Sequence, residues 1–173
     1  MLPTVATGER GGSRESGAFV FRPATDQDVD GILDVQEPAA ILALGHIFPQ
    51  DQHPFPRDAV GGRWRTDVAD ESTTVYVCVD ASGQITGFAA RHEDELLHFG
   101  TAAESWGTGL AQQLHDALVS TFPASMHRIR LRVFEENHRA RRFYERLGWV
   151  STGSTSRGQF PPFPVLLEYA LLR

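Results

Sequence analysis

The chain has 173 residues and 19.1 kDa, 41% hydrophobic and 22% charged, which is ordinary usage for one globular domain and excludes a disordered or fibrous body. All 16 basic residues are Arg against 22 acids, a formal charge of −6, so lysine Schiff-base chemistry is excluded and a general nucleic-acid binder, which needs a basic face, is disfavoured. The charge is uneven: residues 24–98 hold 14 acids and 4 Arg, whereas residues 99–173 hold 6 acids and 9 Arg, so a small polyanion can still meet the second half.

Residues 1–17 are rich in Gly, Ser and charge and read as a mobile N-terminal arm; the single domain is expected over residues 18–173. AFVFR, from Ala18, is a short strand stopped by Pro23. Thr25 or Asp26 can cap a helix carrying Val29, Ile32, Leu33 and Gln36. Pro38 is expected to kink or end it, with Ala39 to Leu44 resuming before a Pro-punctuated stretch over residues 46–58. Ala59 to Val68 predicts a second short helix. TTVYVCVD, a DASG turn and QITGFAARH then form a hairpin, with Cys78 as a small buried strand residue. A third strand follows at Glu95 to Thr101. Leu110, Ala111, Leu114, Ala117 and Leu118 share one face of a helix over Gly107 to Phe122, ended by Pro123. Arg128 to Phe134 alternates Arg with Ile129, Leu131 and Val133, a strand with one covered face. Asn137 caps a helix whose Ala140, Phe143, Tyr144 and Leu147 fall together, and Gly148 stops it. Trp149 to Gly153 and Pro164 to Leu172 close the chain as strands. The order predicts an α/β (α+β mixed) domain, a mixed sheet with helices on its faces. Cys78 is the only cysteine, leaving no internal disulfide, and no apolar run suits a membrane span or a signal peptide, so a soluble cytoplasmic protein is expected.

Two features carry chemistry. In SWGTGLAQQL, Gly107 and Gly109 sit between a strand and a helix, where glycine lets the backbone approach a ligand and the open amides of the helix start attract an anion. Alone this is also the pattern of a plain loop. A Walker loop needs a Lys that the chain lacks, and a dinucleotide fingerprint needs Gly or Ala where Gln112 stands. The second feature is LRVFEENHRARRFYERLGW. Leu131, Val133, Asn137, Ala140, Phe143, Tyr144 and Gly148 match the pattern Leu-x-Val, Asn-x-x-Ala-x-x-Phe-Tyr-x-x-x-Gly-Phe, with Trp149 for the final Phe.

With the Gly-x-Gly turn before it, this stretch resembles the GNAT superfamily of acetyl-CoA-dependent N-acetyltransferases. The resemblance departs from the family pattern at Trp106, which holds the first position of the pyrophosphate motif, and at Ala103, where the family often has Pro. It implies a mostly antiparallel sheet of about seven strands, splayed between strands 4 and 5, with about four helices. It implies acetyl-CoA as cosubstrate: the pyrophosphate on Trp106, Gly107, Thr108, Gly109, Leu110 and Ala111, the pantetheine arm along Phe99, Gly100 and Thr101, and Asn137, Ala140, Phe143 and Tyr144 lining the other side. Arg139, Arg141 or Arg142 could lie near the adenosine phosphates, or form a solvated face.

Amine acetylation needs a neutral nucleophile and a proton for the departing thiolate. Tyr144 is the family's usual donor to the sulfur. Glu95, counted back from Thr101, stands where family members that use a carboxylate base carry it, and Glu93, Asp94 and His98 are neighbouring candidates. Ordered water can also serve. The acceptor wall is expected from His46, Phe48, His53, Phe55, Trp64, Arg157 and Phe160. His46 and His53 lack companion Cys or His-x-x-x-His spacing, so no metal is expected. The acidic first half leans toward a small cationic amine such as an amino sugar, a polyamine or an amine antibiotic, with no nucleic acid and no membrane as partner. A homodimer is left open. Two alternatives stand: an acetyltransferase of a protein amine, and a non-catalytic acyl-CoA binding module.

Overall fold

Alternating burial along the strands separates two cores, and the helices follow from which core each can cover. The computed structural model describes residues 19–173, so the expected arm over residues 1–17 lies outside the described residues. In chain order the elements are β1 (Val20–Pro23), α1 (Val29–Leu44), α2 (Arg57–Ala69), β2 (Thr73–Val79), β3 (Ile85–His92), β4 (Glu95–Thr101), α3 (Leu110–Ser120), β5 (Arg128–Phe134), α4 (His138–Arg146), β6 (Val150–Arg157) and β7 (Val165–Leu172). They form one seven-stranded sheet in the order β1-β2-β3-β4-β5-β7-β6. Every neighbouring pair is antiparallel except β4 and β5.

On β2, Val75 and Val77 join Val29, Ile32 and Trp64 in one core, while the intervening Tyr76 joins Leu118, Ile129, Leu131, Tyr144 and Trp149 in the other. Successive strand side chains point to opposite faces, so α1 and α2 cover one face and α3 and α4 the other. No helix among the described residues is long and apolar enough to cross a membrane.

Three local features position the site. The parallel pair β4 and β5 meets only at Glu95 with Arg130 and Leu96 with Leu131, so both strands part beyond that point and the sheet opens into the expected gap. Beside it, Ala90 opposes His98 while the next β3 residue, Arg91, opposes Leu96. Leu97 is therefore the extra residue of a bulge, which leaves its backbone out of the ladder and re-aims the side chains around it. Third, α1 runs unbroken through Pro38. Proline removes one helical hydrogen bond there, but Arg57 bridges Asp34 and Glu37 at 2.6 Å each, tying that turn of α1 to α2. The local rule for Pro38 yields to these tertiary contacts.

Thr25 caps a short 3-10 turn over Asp26–Asp28 instead of α1 itself, in a reciprocal box with Asp28. β6 extends past the expected Gly153 because that glycine, at φ +82, sits in an irregular stretch of the β6–β7 pairing after which the strand resumes.

Candidate active site

The gap between β4 and β5 widens into a cleft of about 1040 Å³, floored by β4 and walled by the α3 loop and by α4. Phe99, Gly100 and Thr101 line it on β4, and Asn137, Ala140, Phe143 and Tyr144 line it from α4. Gly100 is required by packing: a Cβ there would lie 2.5 Å from the Phe88 ring. Phe99 stacks on Phe143 with centroids 5.9 Å apart, which seals the cleft floor against α4.

Gly107 and Gly109 adopt φ +81 and +94, values that a side chain opposes, and these reverse the chain into α3. The amides of this loop divide in two. The Thr108 amide donates to the Ser105 carbonyl, and the Leu110 amide donates to the Thr108 hydroxyl at 3.3 Å. Among the described residues, the amides of Gly107, Gly109, Ala111 and Gln112 have no such partner, and all four residues line the cleft, with Ser105 and Trp106 before them. Thr108 and Leu110, also expected at the ligand, brace the loop and are not among the cleft-lining residues; Gln112 is a lining residue that the motif did not mark.

Trp106, the departure from the family pattern, donates from Nε1 to the Thr101 carbonyl at 3.4 Å and carries the Arg139 guanidinium 3.4 Å above its ring centroid. Arg139, Arg142 and Arg146 follow each other at i, i+3 and i+7 along the cleft face of α4. No carboxylate pairs with any of the three among the described residues. Arg141 turns away to the Tyr169 hydroxyl and the Glu135 carbonyl. Open amides and three unpaired guanidiniums on one cleft suit a polyphosphate such as the pyrophosphate and ribose phosphate of CoA.

Asn137 Oδ1 accepts from the Ala140 amide at 3.1 Å, so its carbonyl is committed to starting α4 and its NH₂ remains for a ligand. Tyr144 is buried among Phe99, Phe143 and Trp149. Burial alone pushes its phenol well above the ordinary value, and its hydroxyl has no hydrogen-bond partner among the described residues. Behind it, Trp149 Nε1 donates to His115 Nε2 at 2.9 Å, which accounts for Trp in the place of the pattern's Phe: the indole gains a buried acceptor on α3.

On the acceptor side, the Glu95 side chain is only 14% exposed and lines the cleft, but Oε1 accepts from Arg132 Nε at 2.8 Å. It is an ion-paired carboxylate, not one facing apolar walls alone. Asp94 is held by two bonds from Arg130, at 2.8 and 2.7 Å, and the guanidinium keeps its carboxyl below the ordinary value. Glu93 sits in the β3–β4 turn at φ +50.

His98 is different. Its Nε2 lies 3.0 Å from Asp67 Oδ2 on α2, both side chains are 16% exposed, and Trp64 packs edge-on at 4.7 Å. An ionised carboxylate only accepts, so Nε2 carries the proton and Nδ1 keeps a lone pair. Burial lowers the imidazole below its ordinary value, with Asp67 opposing that shift. His98 lines both the cleft and a second cavity of about 430 Å³.

Phe48, His53, Phe55, Trp64 and Phe160 line that second cavity. His46 does not: its Nε2 bonds the Glu136 carbonyl at 3.0 Å, tying the end of α1 to the loop before α4. Arg157 lines the main cleft and donates to the Phe163 carbonyl.

The acetyltransferase (GNAT) family model matches residues 39–149. A 5-NmdU N-acetyltransferase of Pseudomonas phage PaMx11 is 34% identical over 83 residues, 44% of this chain and 58% of that protein, so the chain spans less than two thirds of that relative's length. A spermidine N-acetyltransferase of Vibrio cholerae, solved with CoA and spermine, superposes with a TM-score of 0.64 at 20% identity, covering 89% of this chain and 95% of that one. The apo-form of YjaB from Escherichia coli gives 0.68 at 18% identity, over 88% and 96%. The two structural likenesses establish the fold.

Proposed function

The chain belongs to the acetyltransferase (GNAT) family, and from that premise we propose that it transfers the acetyl group of acetyl-CoA to the primary amine of a small molecule. The observation that carries this reading is the convergence on one cleft of the open loop amides, the unpaired Arg139, Arg142 and Arg146, and Tyr144. Acetyl-CoA supplies the acetyl group as a thioester. Gly107, Gly109, Ala111 and Gln112 hold the pyrophosphate through their amides. Phe99, Gly100 and Thr101 offer the open edge of β4 to the pantetheine arm as an added strand would use it.

His98 takes the proton of the attacking amine on Nδ1, and Asp67 stabilises the imidazolium that results. The new N–C bond forms as the C–S bond breaks, and Tyr144 gives its proton to the sulfur, to be restored from solvent. Glu95 is the second candidate for the base, supported by its place on the cleft wall. His98→Gln and Glu95→Gln separate the two: loss of the acid limb of kcat with unchanged acetyl-CoA affinity identifies the base. An intact limb in the His98 variant reassigns the step to Glu95 or water.

The lean toward a cationic acceptor rests on the acids of residues 24–98, most of which are engaged elsewhere in the fold. Asp28 pairs with Arg22, Asp34 and Glu37 with Arg57, Asp26 and Asp30 with Arg65, Asp94 with Arg130, and Asp70 and Asp80 brace turns.

A further inference from the structure

The second cavity reaches the main cleft through Gln36, Ala40, Leu44, Arg63 and His98, which line both, so an acceptor seated there meets the cleft at His98. Its wall is built from ring faces: Phe48, Phe55, Trp64, Phe134 and Phe160. Several of the polar groups on this wall are already engaged, with Gln52 and His53 as further polar lining. Trp64 Nε1 donates to Gln36 at 2.7 Å, while Gln50 donates to the Phe48 carbonyl and accepts from the Phe55 amide. Among the described residues no Asp or Glu lines the cavity, and the permanent charge they place on its wall is the Arg63 guanidinium, which donates to Gln159 of the β6–β7 loop at 2.7 Å.

Such a lining offers a second ammonium no carboxylate to pair with, only ring faces and side-chain amides, and a like charge to meet, and a buried cation without a counter-charge is costly. A ring meets mostly apolar surface. Resting on the acetyl-transfer reading above, we infer that the acceptor is an aryl-bearing primary amine with no second positive charge, its ring among Phe48, Phe55 and Phe160 and its nitrogen toward His98. Polyamines are thereby rejected. The same lining disfavours the charged form of the bound amine, so the nitrogen arrives as the nucleophile the reaction needs.

Thiol release from acetyl-CoA with 2-phenylethylamine, methylamine and spermidine as acceptors tests this, together with calorimetric binding of each amine. Burying one ring is worth roughly 10- to 100-fold, so kcat/KM for 2-phenylethylamine should exceed that for the other two by about that factor. Phe160→Asp, on a loop outside both cores, should lower the ratio of 2-phenylethylamine to spermidine about tenfold or more, because it removes a ring face and adds a carboxylate. Spermidine turned over as well as 2-phenylethylamine, or a ratio unmoved in Phe160→Asp, would overturn the assignment. If no amine releases thiol, binding decides: selective binding of 2-phenylethylamine keeps the pocket and removes the transfer reading, whereas no binding removes the pocket.

Discussion

Replacing Arg139 by Ala should weaken CoA binding by more than an ordinary surface substitution does, because its guanidinium stands over Trp106 at the mouth of the phosphate loop with no carboxylate to occupy it. A hydrogen bond to a charged group contributes roughly 1.5 to 3 kcal/mol, and since α4 leaves Arg139 open to water the lower end applies, about tenfold in Kd. The Trp106 ring adds a cation–π contact of about 0.5 to 1 kcal/mol at an exposed site, so Trp106→Leu should cost roughly two- to fivefold. If the indole acts by placing the guanidinium, the double variant should bind no more weakly than Arg139→Ala alone. Calorimetry with CoA at two salt concentrations reads all three, and the Arg139→Ala loss should shrink as salt screens the charge. CoA affinity within about twofold of wild type in Arg139→Ala, or strictly additive losses in the double variant, would refute the idea that Trp106 places Arg139 to serve the phosphate loop.

Tyr144→Phe keeps the ring in its aromatic nest and should lower kcat by roughly 100-fold or more while leaving CoA affinity nearly unchanged; equal turnover would make Tyr144 a core residue only. Because burial holds His98 below the ordinary imidazole value, the acid limb of kcat should lie below about pH 6.5 and vanish in His98→Gln. Gly109→Val should abolish CoA binding, since φ +94 opposes a β-branched residue in the anion loop; unchanged affinity would remove the pyrophosphate from that turn. Asp28, buried and bound by Arg22 and Thr25, is held down to about 2, so its contribution is present above about pH 4 and lost as pH falls toward 2. Discounted for the water that reaches Arg22, that contribution is roughly 1 to 2 kcal/mol. Urea unfolding of wild type and Asp28→Asn at pH 6 and pH 3 should show it only in the wild type.

What was legible in the sequence is what neighbouring residues decide. Ala140, Phe143, Tyr144 and Leu147 fall on one face of α4 by helical period alone, and alternation marked β5 between Arg128 and Phe134 to the residue. Gly107 and Gly109 before α3 marked a turn where the backbone can approach a ligand. Side-chain pairs distant in sequence leave no such trace: His98 meets Asp67 across 31 residues, His46 meets the Glu136 carbonyl across 90, and Arg139 finds Trp106 only once α4 lies beside the loop. Composition is blind to such pairs too. Most acids of residues 24–98, on which the lean to a cationic acceptor rests, find a guanidinium, an imidazole or a turn only in three dimensions, and Pro38 reads as a kink or stop although Arg57 spans it. The Leu97 bulge, which sets the surroundings of His98, is invisible in an unbroken run such as ELLHFG because only the β3 register reveals it.

The most direct test of acetyl transfer through this cleft is mass-spectrometric detection of the acetylated amine alongside free CoA thiol, from wild type and Tyr144→Phe, with acetyl-CoA and 2-phenylethylamine at saturation. Acetyl-amine and thiol should appear in equal amounts, and the variant should make both far more slowly while still binding CoA. CoA bound in the cleft with neither product formed from any of a broad set of primary amines would contradict the account and leave an acyl-CoA binding module in its place.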